Sequence, residues 1–262
     1  MMNRLQQKMT YSAARKEKSL ACFLTAGYPT LDALLPLVRA VEKGGADIIE
    51  LGMPFSDPLA DGPVIQHSSH VAIQQGATLD WILSRVQLIR KTSDIPIVLM
   101  GYLNPIFAYG PHKFFAASAC AGVDGLILPE LPFEESNRLG DLFESNNLAN
   151  ILLVTPTTPP ERIALIDKKS SGFLYCVSTT GVTGSSKRRI DDSYVRAVKK
   201  SAKINPVLVG FGIRSAEDAR RAAHAVDGVV VGSAIIELIR KGKSLAALES
   251  FVRGLKIGMQ PD

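Results

Sequence analysis

Little in this sequence is suited to cross-linking, metal capture or membrane insertion. Three cysteines, Cys22, Cys120 and Cys176, are an odd number, and each sits in an apolar run. They read as reduced core thiols of a cytosolic protein, not as a disulfide frame or a metal cage. No run approaches the ~18 uninterrupted apolar residues that a membrane-spanning helix needs. The polar, basic N-terminus lacks the apolar centre of a secretory signal. Among the histidines, His67 and His70 lack a partnering ligand motif, and His112 and His224 stand alone, so no metal site is expected. The phosphate-loop signature of nucleotide triphosphatases is absent, and no strand runs at once into the Gly-x-Gly-x-x-Gly turn of a dinucleotide fold. The net charge of +5 is dispersed, with short runs only at Lys187-Arg188-Arg189, Lys199-Lys200 and Arg220-Arg221. No aromatic residues interleave with them to stack bases, so nucleic acid is not an expected partner.

What remains is an ordinary folded composition, 46% hydrophobic and 21% charged over 262 residues, enough for a sizeable core. Apolar runs bounded by turn residues recur at 20–25, 46–52, 95–101, 124–128, 149–154, 172–177, 206–209 and 228–231. Most are continuously apolar, as expected of parallel strands buried on both faces. Helical spacing fills the intervals, as in Leu31-Leu34-Leu35-Val38-Val41 and Trp81-Ile82-Val86-Ile89. A local phrase repeats three times before a strand: Gly45-Ala46-Asp47, Gly122-Val123-Asp124 and Ala225-Val226-Asp227. Eight strand–helix units in this length predict an α/β fold, a (β/α)8 TIM barrel, with a doubly wound open sheet as the alternative. No linker or composition shift marks a second domain. We therefore expect one domain over 1–262, an N-terminal helix within 1–18 preceding a barrel over 20–254.

In such a barrel chemistry belongs at the carboxyl ends of the strands. Glu50 interrupts the apolar run Ile48-Ile49-Glu50-Leu51, where a carboxyl is costly unless paired or used. Desolvation there raises its pKa towards neutrality, suiting a group that both gives and takes a proton. Asp61 follows a loop stiffened by Pro54 and Pro58, and the two carboxylates can face one pocket. Asp57 and Asp61 are also plausible caps for the next helix. Glycines then cluster after successive strands, in Gly181-Val182-Thr183-Gly184, Gly210-Phe211-Gly212 and Gly232-Ser233. Bare backbone N–H groups and a helix start at the last two barrel strands make a phosphate site. Phe23, Met100, Tyr102, Tyr175 and Phe211 fall at strand ends and together suit a slot for a flat apolar ring.

The run from Glu50-Leu51-Gly52-Met53-Pro54-Phe55-Ser56-Asp57-Pro58-Leu59-Ala60-Asp61 to Gly62-Pro63, with the glycine clusters in order, resembles the tryptophan synthase α-subunit family. The resemblance extends over about residues 20–254. It implies cleavage of indole-3-glycerol phosphate to indole and glyceraldehyde 3-phosphate. It assigns Glu50 as general acid/base, Asp61 as the carboxylate orienting the indole, and Tyr175 as a neighbour of the catalytic Glu. It places Thr183, Gly184, Gly212, Gly232 and Ser233 around the phosphate, and Phe23, Met100 and Phe211 around the indole. No cofactor is implied in this chain. A partner β chain carrying pyridoxal phosphate, an α2β2 assembly, a lid over 181–189 and a cytoplasmic location are. Glu130 departs from the family, which often has Asp there, and Ser178-Thr179-Thr180 is one variant among several. A non-catalytic, phosphate-binding regulatory subunit is the rival reading, and a barrel enzyme of the indole-glycerol-phosphate synthase kind is opposed by the lack of a strand-end lysine.

Overall fold

Continuously apolar runs become strands buried on both sides, and here they close on themselves. The computed structural model describes residues 2–177, 191–210 and 212–260, apart from the side chain of Asn137. Among these residues lie β1 (Ser19–Thr25), β2 (Ile48–Gly52), β3 (Ile97–Met100), β4 (Gly125–Ile127), β5 (Ala149–Ile151), β6 (Leu153–Val154), β7 (Leu174–Val177), β8 (Val207–Gly210) and β9 (Gly228–Val231). They form one sheet in the order β5-β4-β3-β2-β1-β9-β8-β7-β6, and every pairing is parallel. The two ends of that order are consecutive in sequence, separated only by Leu152, whose carbonyl accepts from Tyr175 N–H at 3.0 Å. β5 and β6 are therefore two halves of the one strand expected at 149–154. The ends meet, the open sheet is ruled out, and the fold is a (β/α)8 TIM barrel.

Alternation sorts the apolar residues into two cores. Ala21, Ile48, Val98, Ile127, Ile151, Tyr175, Leu208 and Val230 point inward and pack together, while their sequence neighbours Cys22, Ile49, Leu99 and Cys176 pack outward beneath the helices. The helix Arg4–Ala14 starts on a capping box between Asn3 and Gln6. It sends Leu5 and Met9 into the inner cluster, plugging the end of the barrel where the strands begin. Cys22 and Cys176 are buried as expected, but Cys120 is exposed. It lies on the helix Pro111–Ala121, whose buried positions are Phe114, Phe115, Ser118 and Ala121, so the local apolar run overstated its burial.

The repeated Asp phrase has a mechanical meaning at that same end. Asp47 Oδ2 accepts from Leu20 N–H (2.8 Å), Asp124 Oδ2 from Ile97 N–H (2.9 Å) and Asp227 Oδ2 from Val207 N–H (2.7 Å). Each Asp N–H donates back to the carbonyl of the same residue. A fourth site completes the series without an aspartate: Asn150 N–H donates to Ser171 Oγ (2.8 Å), and Ser171 N–H returns to Asn150 O (2.9 Å). Every second strand is thus clamped to the start of the strand before it. The buried charges are compensated, Asp47 by Lys8 and Lys256 and Asp124 by Arg4 and Arg90, and the partly exposed Asp227 pairs with Lys199. One end of the barrel is therefore fixed, which leaves the other for chemistry.

Candidate active site

Strand alternation from Ile48 turns Glu50 and Gly52 into the barrel near the carboxyl end of β2. Glu50 pairs in register with Phe23 on β1 and Val98 on β3. It is 2% exposed, and its Oε2 has no hydrogen-bond partner among the described residues. A carboxylate so placed would be an uncompensated buried charge. Desolvation, reinforced by the nearby charge of Asp61, pushes Glu50 up to about 8, so it holds its proton at neutral pH.

Asp61 is brought over the same mouth by the loop that leaves β2. Neither Asp57 nor Asp61 caps the helix Pro63–Gln74, whose N-cap is Gly62, so the capping alternative falls. Instead the phenol of Tyr102 donates to Asp61 Oδ2 (3.0 Å) and accepts from Ala60 N–H (3.1 Å). The Tyr102 ring packs on Phe55 with centroids 5.2 Å apart. Burial raises Asp61 to about 6, and the Tyr102 hydrogen bond opposes that rise. At neutral pH the pair is therefore asymmetric, one acid protonated and one ionised.

Tyr175 points inward from β7, buried, with its phenol raised well above the ordinary value by desolvation and then by the charges of Glu50 and Asp61. Glu50 and Tyr175 both point into the barrel, and the charge of Asp61 is felt at both. Bare strand ends leave space there. A Cβ on Gly52 would meet Phe23 Cζ at 2.5 Å, and one on Gly210 would meet Tyr175 Cε1 at 2.8 Å, so each aromatic ring lies across a glycine. Met100 ends β3 in register with Gly52, and its carbonyl accepts from Met53 N–H (2.7 Å).

A helix start lies beside this slot. Gly232 is the N-cap of the helix Ser233–Arg240, and a Cβ there would stand 3.3 Å from Phe23 Cβ. Because β9, β1 and β2 are neighbours, this helix start, the Phe23 ring and Glu50 share a rim. The first amides of a helix carry no intrahelical partner and present partial positive charge. Gly212, with φ +80°, turns the loop after β8 in the left-handed region. Thr183, Gly184, Phe211, the expected lid at 181–189 and the Ser178–Thr180 variant lie outside the described residues. The described residues contain no group of three or more His, Cys, Asp or Glu placed to hold a metal ion, and none of their helices is long and apolar enough to cross a membrane.

This geometry has close relatives. Residues 9–258 match the family model described as tryptophan synthase alpha chain. The chain belongs to that family. It is 44% identical to the tryptophan synthase alpha chain of Geobacter sp. (strain M21) over 262 residues, covering 98% of both chains, and 45% identical to that of Citrifermentans bemidjiense, again covering 98% of both. Among solved structures, tryptophan synthase subunit alpha of Legionella pneumophila superposes with a TM-score of 0.89 at 34% identity, covering 99% of both chains. A chain of Mycobacterium tuberculosis tryptophan synthase gives 0.91 at 34% identity, covering 100% of both.

Family membership agrees with the motif in the sequence, but two features of the site were not legible there. Tyr102 was read only as an apolar lining residue, whereas its oxygen is the polar link between Asp61 and Ala60. A tyrosine immediately after a strand end, rather than a phenylalanine, was the available signal. Glu130 stands out in the sequence only as a departure from the family's Asp, and its acceptor role for Leu103 N–H across to the neighbouring loop needed coordinates.

Proposed function

We propose that this chain is the alpha subunit of tryptophan synthase, a lyase of tryptophan biosynthesis that cleaves indole-3-glycerol phosphate to indole and glyceraldehyde 3-phosphate. The observation that carries this reading is the buried Glu50, whose Oε2 has no hydrogen-bond partner among the described residues, opposite an ionised Asp61 in a slot walled by aromatic rings. Breaking the carbon–carbon bond requires the indole ring to accept an electron pair. Glu50, protonated at rest, donates its proton to indole C3, and the ring becomes a cationic sink. The resulting carboxylate then takes the proton of the glycerol hydroxyl next to the scissile bond, the C–C bond opens, and an aldehyde forms. One proton leaves Glu50 and one returns, so the cycle closes without solvent.

Asp61 accepts a hydrogen bond from the indole N–H and stabilises the positive charge that develops there. Phe23, Met100 and Phe211 enclose the ring. Thr183, Gly184, Gly212, Gly232 and Ser233 hold the phosphate through backbone amides and the start of the helix Ser233–Arg240. Tyr175 packs beside Glu50 and keeps water from it. The chain works as one domain in the cytoplasm, with indole-3-glycerol phosphate as its substrate. Its product passes to a β chain carrying pyridoxal phosphate in an α2β2 complex.

Indole release by Glu50→Gln, at saturating indole-3-glycerol phosphate, is the test. The rate falls about a hundredfold or more, the scale of a positioned proton-transfer group, while Asp61→Ala costs roughly 3 kcal/mol in barrel-mouth stabilisation of the transition state. An unchanged rate in Glu50→Gln removes Glu50 as the proton carrier, and no indole release by the parent chain leaves it a phosphate-binding regulatory subunit. Assays with and without purified β chain read the partner directly.

A further inference from the structure

Tyr102 can reach Asp61 because its own backbone is held, and an exposed residue on another loop holds it. Tyr102 is the N-cap of the helix Leu103–Tyr109, with extended backbone (φ −113°, ψ 156°) and no side-chain cap bond of its own. An N-cap side chain ordinarily turns back to the first free amides of its helix. Tyr102 instead sends its phenol across the mouth to Asp61 and Ala60. The opening amide, Leu103 N–H, is satisfied from the loop after β4, where Glu130 Oε1 accepts from it. A carboxylate suits the partial positive charge at a helix start, and the Glu130 charge is felt at the Tyr102 phenol. Three successive loops are thereby joined: Glu130 fixes the Tyr102–Leu103 peptide, that peptide aims the phenol, and the phenol fixes Asp61 and the backbone before it.

We propose that Glu130 is a positioning residue for Asp61, acting through the Leu103 amide and the Tyr102 phenol to hold the carboxylate against the indole N–H. The proposal rests on the reading of Asp61 as the indole-orienting group. Glu130 itself touches neither substrate nor the reacting atoms. Its removal acts on the orientation of Asp61, so it lowers kcat. The phosphate grip belongs to other loops, so KM is largely kept.

The test is steady-state indole release by the full chain carrying Glu130→Ala, Glu130→Gln, Tyr102→Phe, or Tyr102→Phe with Glu130→Ala. Loss of one charge-assisted hydrogen bond in the relay lowers kcat about tenfold in Glu130→Ala, with KM changed less than about twofold. Glu130→Gln keeps an acceptor for Leu103 N–H and returns kcat to within about twofold of the parent. The double variant is no slower than Tyr102→Phe alone, since both act through one phenol. Wild-type kcat in Glu130→Ala, a Gln variant as slow as the Ala variant, or additive losses in the double variant overturns the relay. An Asp61→Asn variant measured alongside separates the two claims: unchanged indole release there refutes the role of Asp61 itself, while a slow Asp61→Asn with an unaffected Glu130→Ala refutes only Glu130.

Discussion

The ring of Phe23 occupies the place where residue 52 would carry a side chain. A Cβ on Gly52 would lie 2.5 Å from Cζ and 2.8 Å from Cε2 of that ring, and Gly52 stands two residues beyond Glu50 on the same inward face. A methyl group at 52 therefore tilts Phe23 into the slot, beside the acid and the helix start at Gly232. Gly52→Ala is expected to lower kcat/KM for indole release by about tenfold or more, with an overpacking cost of roughly 1–3 kcal/mol. Replacing the ring by a shorter side chain removes the clashing atoms, so Gly52→Ala with Phe23→Leu recovers part of the lost melting temperature. A double variant no more stable than Gly52→Ala would show that the two residues do not compete for space.

The proposed mechanism needs Glu50 protonated and Asp61 ionised, which fixes the shape of the expected pH dependence. Asp61 is raised to about 6 and Glu50 to about 8. kcat/KM of the isolated chain should therefore rise through about pH 6 as Asp61 ionises and fall through about pH 8 as Glu50 loses its proton. The two limbs belong to the pair as a unit. In Asp61→Asn the acid limb disappears, and the alkaline limb moves down because the neighbouring charge that raises Glu50 is gone. A flat profile from pH 5 to 9 would remove the proton-shuttle assignment.

The same burial that raises the Glu50 pKa weakens the fold above the ordinary carboxyl range. Its proton is bound more tightly in the native state than in the unfolded chain, where the ordinary value is 4.5. The native state therefore loses stability as pH rises from about 4.5 towards about 8. Glu50→Gln has no such titration. It should be more stable than the parent at pH 8, by on the order of 4 kcal/mol, with the gain shrinking to nothing below about pH 4.5. Equal melting temperatures across that range would mean that Glu50 is solvated or paired in solution.

The parts of this design that sequence exposes are those written in local pattern. Unbroken apolar runs such as Ile97–Met100 encode strands covered on both faces, and Glu50 within one of them is visible as a charge in a place where charge is expensive. Closure through Leu152 is a long-range event, and the strand at 149–154 reads as a single apolar run whether or not one residue leaves the ladder. Tyr102 and Glu130 were opaque for a related reason. A phenol aimed at Asp61 and a carboxylate aimed at Leu103 N–H depend on how three loops lie over one mouth, and no residue spacing records that. The three Asp phrases were legible as a repeat but not as a clamp, and Ser171, which does the same work with a hydroxyl, carried no aspartate to mark it.

That clamp gives the last prediction, because it separates stability from chemistry along the barrel axis. Asp124 is 1% exposed, accepts from Ile97 N–H, and pairs with Arg90 at 2.8 Å and Arg4 at 3.2 Å. Asp124→Ala strips the acceptor from a buried strand amide and leaves Arg90, whose side chain is 10% exposed, without its counter-charge. The expected cost is about 3–5 kcal/mol of unfolding free energy, as when one partner of a buried ion pair is removed. Chemistry sits at the opposite ends of the strands, so the fraction that remains folded at low temperature should turn over at the parental kcat. Chemical denaturation and active-site-normalised indole release measure the two halves of this claim. A kcat that falls with stability would mean that the two ends of the barrel are mechanically coupled.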